Sequence, residues 1–66
     1  MVELTATNIK CLMIEKGIKP IDIADRLNIS VESAYPKIRE AKFDLEQVKE
    51  LGRLFNVDFI IKRNED

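Results

Sequence analysis

The chain contains no histidine and a single cysteine, Cys11. One thiol excludes an internal disulfide and any cysteine-cluster zinc site. Without histidine the commonest general base and metal ligand is missing. No phosphate-cradling glycine-rich loop and no nucleophile–base pair takes its place. The expectation is a non-enzyme with no cofactor and no metal. No run of about 18 apolar residues occurs, so no helix is expected to span a bilayer. No basic segment leads into an apolar one at the start, so the expected location is cytoplasmic. An excess of one charge is also missing, since 11 cations stand against 12 anions, a formal net charge of −1. Sixty-six residues, 45% hydrophobic and 35% charged, make one small globular domain, expected over 1–62 with a charged, frayed tail at 63–66. Its stability margin is expected to be only about 3–5 kcal/mol. Cys11 reads as a small helix residue, because no cationic cluster is evident to activate its thiol.

What is present is a series of amphipathic segments with marked ends. The first helix is expected over Ala6–Lys16, with Thr5 as N-cap and Leu4 and Ile9 as a hydrophobic staple. Ile9, Leu12 and Met13 form its inward face, and Gly17 ends it. Cys11 and Ile14 fall off that stripe; they either pack beneath the C-terminal segment or belong to a subunit contact. A second helix starts at Pro20, where the missing N–H costs nothing. Lys19 is a poor cap by residue type, which leaves the first N–H groups to solvent or to a phosphate.

Ile23, Ala24 and Leu27 give that helix its apolar stripe, and Asn28-Ile29-Ser30 interrupts it. Asn28 tolerates the left-handed conformation, Ile29 plugs the turn and Ser30 can cap the next helix. Ala34 and Ile38 then face back toward Ala24 and Leu27. Small Ala24 permits the close approach of two steeply crossing helices, which is helix-turn-helix geometry. Pro36 is the anomaly. An interior proline costs roughly 3 kcal/mol, so the third helix is expected either kinked or starting late, at Ser33, and ending near Glu40.

The next helix is expected over Leu45–Phe55. Asp44 and Gln47 form a capping box, Phe43 and Val48 a staple, and Leu45, Val48, Leu51, Leu54 and Phe55 the inner stripe. Gly52 is read as allowing close helix packing, and Asn56 as ending the helix. Val57–Lys62 reads as a strand by its β-branched and aromatic content. A lone strand leaves two unpaired edges. Pairing with its own copy would give a homodimer through Val57, Phe59, Ile60 and Ile61; the alternative is an arm folded back on its own domain.

The stretches KGIKPIDIADRLNISVESAYPKI and KFDLEQVKELGRLFNVDF resemble the phage repressor/Cro-type (XRE family) helix-turn-helix domain. The resemblance covers about Ile9 to Phe59. It rests on Gly17, Ala24, Leu27, Ile29-Ser30, the Tyr35-x-Lys37-Ile38 run and the Phe43-x-Leu45 approach to a helix ending Leu-Phe-Asn-Val. It implies a mostly α, compact four-to-five-helix lambda-repressor-like domain with a short C-terminal β-strand. The helix from about Val31 would enter the major groove, and a dimer would bind a pseudo-palindromic operator on double-stranded DNA. Four positions depart from the family: Pro20 replaces a frequent glutamine, Val31 and Glu32 stand where basic or small polar residues are common, and Pro36 replaces a frequent arginine.

On this resemblance the expected DNA-binding residues are Lys19, Val31, Glu32, Ser33, Tyr35, Pro36, Lys37, Arg39 and Lys42. Lys19, Lys37, Arg39 and Lys42 fall where phosphate contacts are expected. Ser33 and Tyr35 are suited to base edges or phosphates, Glu32 to cytosine N4, and Val31 or Pro36 to a thymine methyl. The alternative for each is a solvated surface residue, or for Tyr35 an aromatic at the core's edge. Residues 18–42 carry five cations against four anions, a thin balance for neutralising several phosphates. Two functions follow: a Cro/repressor-type transcriptional regulator, or a protein-interaction module (antirepressor or regulatory subunit) that keeps the scaffold without DNA binding.

Overall fold

The computed structural model describes residues 1–61. Its elements in order are β1 (Val2–Glu3), α1 (Ala6–Lys16), α2 (Pro20–Leu27), α3 (Val31–Glu40), α4 (Leu45–Phe55) and β2 (Phe59–Ile60). The tail at 63–66, and Lys62 with it, lie outside the described residues.

Local chemistry sets the helix ends. The Thr5 hydroxyl accepts the Asn8 N–H at 3.1 Å, and Asp44 and Gln47 cap each other reciprocally at 2.9 and 3.1 Å. Gly17, Asn28 and Asn56 all take the left-handed conformation after their helices. Ala41 does so too, with φ +55, although alanine carries a Cβ penalty of about 1–2 kcal/mol there. Its N–H reaches Ile38 O at 3.4 Å and the Lys42 N–H reaches Lys37 O at 3.0 Å, which closes the end of α3.

α2 packs mainly on α3 and α4, with α1 closing the other side. Ile9, Ile23, Ala24, Ala34, Ile38, Leu51 and Phe55 form the buried core, with Val48 at its margin. Leu45 does not join them. It is 67% exposed, because it lies one turn ahead of Val48, past the edge of the core.

α3 does not start late. Ser30 caps it, its hydroxyl accepting the Ser33 N–H at 3.1 Å, and Pro36 lies inside a continuous helix. Val31, Ala34, Ile38 and Ala41 pack inward from one stripe, and forming the first turn seats Val31 against the core. Pro36 is exposed, so the carbonyl it leaves without a helical partner sits on the side that water reaches.

The C-terminal strand is not alone. β2 pairs in parallel with β1, Val2 opposite Phe59 and Glu3 opposite Ile60. The Val2 N–H donates to Asp58 O and the Leu4 N–H to Ile60 O, each at 2.8 Å. The Asn8 amide donates to Glu3 O at 2.8 Å and ties β1 to α1. Phe59 meets Phe55 edge to face, centroids 6.0 Å apart. One edge of β2 is therefore filled by the chain's own start. Cys11 and Ile14 do not pack beneath this segment; both are exposed.

Gly52 also differs from expectation. A Cβ there would stand 2.9 Å from the Val57 carbonyl. The close neighbour is the chain leaving α4, not another helix.

Candidate nucleic-acid interface

α3 is ten residues long, about 15 Å at the usual rise. With Ala34 and Ile38 turned inward, Glu32, Tyr35, Pro36 and Arg39 fall at spacings of three, four and seven on the opposite face. All four are exposed, and Tyr35 is 55% exposed. Ser33 flanks this stripe. Its hydroxyl accepts from the Ser30 hydroxyl at 3.0 Å and keeps its own proton to donate. The stripe thus offers two hydroxyls and a guanidinium, with one carboxylate near its start.

The remaining expected residues are distributed less favourably. Val31 is half-buried and packs on the core, so only part of it is left for a thymine methyl. Lys37 is half-buried, so only part of its side chain stands free. Lys42 is exposed beyond the end of α3 and lies 3.8 Å from Glu40, a solvated pair. Such pairs are worth little and re-form readily with a stronger anion.

At the start of α2 the N–H groups are not all free. The Asp22 carboxylate accepts the Lys19 N–H at 2.9 Å. Lysine has no side-chain acceptor, so only one half of a capping box can form. This carboxylate places negative charge where a phosphate would dock. From the sequence Asp22 is expected to point away from this end, and the structure instead turns its carboxylate onto it. The signal was present, because an acidic third helical position is the partner half of a capping box even when the cap residue is wrong.

Elsewhere, Arg26 lies 3.5 Å from Glu50, which Arg53 also holds at 2.8 Å. Arg26 is thereby drawn toward α4 and away from the α3 face. Among the described residues no group of three or more potential metal ligands converges, and no helix is long and apolar enough to cross a membrane. No protein-family model matches the chain, nor does any curated protein or solved structure.

Proposed function

We propose that the protein is a sequence-specific DNA-binding transcriptional regulator of phage Cro/repressor type, built on a lambda-repressor-like helix-turn-helix domain. α2 and α3 form the bihelical corner and α3 is the reading helix. The observation that carries this reading is the outer stripe of α3. Glu32, Tyr35, Pro36 and Arg39 stand clear of the body while Ala34 and Ile38 anchor the helix beneath them. Ser33, Tyr35 and Arg39 address bases or phosphates, and Lys19, Lys37 and Lys42 address the backbone.

The operator is pseudo-palindromic and is bound by a homodimer. Since β1 takes one edge of β2, two copies pair through the other edge, with Phe59 and Ile61 supplying the outward backbone groups. Such a dimer spaces its reading helices about 34–36 Å apart, one turn of DNA.

Titration with random duplex DNA at low and moderate salt tests the core of the proposal. Roughly micromolar non-specific affinity that weakens steeply with salt is expected. Selection from a random duplex library then yields a two-fold symmetric site.

A second reading is a scaffold that binds protein instead of DNA. Asp22 at the start of α2 and Glu32 at the start of α3 favour it, because both oppose phosphate. Absence of any salt-sensitive DNA binding would select this reading.

A further inference from the structure

Away from the α3 face, α1 and the turn into α2 enclose an open groove of about 380 Å³. Met13, Ile18 and Pro20 form its apolar floor, and Lys10, Ile14 and Lys19 also line it. It opens over Gly17, where an added Cβ would meet nothing within 4 Å. Ile14 is 84% exposed at its lip, and Ile21 in the next turn of chain is 55% exposed. We propose that this groove receives an acidic protein segment, one or two large apolar side chains flanked by Asp or Glu.

Size and charge choose this occupant. The volume lies at the small end of binding clefts, which run about 300–1,000 Å³. It takes one or two anchoring side chains, whereas a stable dimer needs roughly 800 Å² of surface from each partner. Both charged residues lining the groove are cations, and neither is ion-paired among the described residues. A second copy docked about a two-fold axis would bring lysines against lysines. A nucleic acid would pair its phosphates with Lys10 and Lys19 but would leave the apolar floor of Met13, Ile18 and Pro20 without a partner. Carboxylates beside an apolar anchor satisfy both halves of the site. Lys19 is shared with the proposed DNA face, but Lys10 and Ile14 take no part in it, so substitutions at those two positions test the groove separately.

The test is selection of a random displayed peptide library on the full chain, followed by titration of the selected peptides. Expected are sequences enriched in a large apolar residue next to Asp or Glu. Their affinity should fall by roughly tenfold or more in Ile14→Ser and in Lys10→Glu. Circular dichroism should show both variants folded, since both positions are exposed, and the uncharged Ile14→Ser should keep the wild-type DNA titration. The proposal is overturned if no peptide is enriched, if enrichment is blind to acidic residues, or if Ile14→Ser binds as well as wild type. Self-association, or capture by anionic phospholipid vesicles, that Ile14→Ser abolishes in place of peptide binding would overturn it equally.

Discussion

The Asp22 carboxylate lies 2.9 Å from the backbone nitrogen of Lys19 and closes the start of α2 with a negative charge. Asp22→Asn keeps an oxygen that can accept the same N–H while removing the charge. Non-specific DNA affinity at low salt should rise a few-fold. Thermal stability should fall, since a first-turn carboxylate is worth about 0.3–1 kcal/mol. Unchanged or weaker DNA binding, measured by fluorescence anisotropy, would take this end of α2 out of the interface.

Pro36 interrupts the hydrogen-bond ladder of α3 at an exposed position. Pro36→Ala restores an N–H for the Glu32 carbonyl and gives up no buried contact. Stability should increase by about 1–3 kcal/mol, read as a higher urea midpoint at constant m-value. A decrease would mean that the ring packs in a way its exposure does not suggest.

Gly52 has the opposite sign. Alanine is favoured over glycine in a helix interior by about 1 kcal/mol, yet a Cβ would press on the Val57 carbonyl at 2.9 Å. That oxygen belongs to backbone, held by the Val57 N–H bond of 3.0 Å to Gly52 O. Gly52→Ala should therefore destabilise, by about 1–2 kcal/mol in chemical denaturation. A stabilised variant would contradict the close approach.

The two edges of β2 can be tested apart. The carbonyls of Asp58 and Ile60 face β1, so the backbone groups of Phe59 and Ile61 face the other side. Ile61→Pro removes an outward N–H only. It should convert the proposed dimer to a monomer in sedimentation without lowering helicity. Ile60→Pro attacks the pairing with β1 and should lower the melting temperature. A dimer that survives Ile61→Pro does not form through this edge.

The helix ends were legible from a few residues each. Thr5, Gly17, Asn28, Ser30, Asp44 with Gln47, and Asn56 act on backbone groups within four positions of themselves, so residue type alone locates them. The inner stripes of α2 and α3 followed from spacing for the same reason. Pro36 left a kink and a late start both open, and the structure removes the late start, because Val31 finds a seat against the core.

What the chain order concealed is everything decided at long separation. The partner of the C-terminal strand is the opening Val2–Glu3, nearly the whole chain away, and no local pattern announces a two-residue strand. The groove beside Ile14 exists because α1 and the turn into α2 meet at an angle that only the packed core sets. Capping and periodicity are short-range and readable letter by letter. Which edge is filled, which isoleucine stays in water and which glycine is crowded depend on how four helices share one small core.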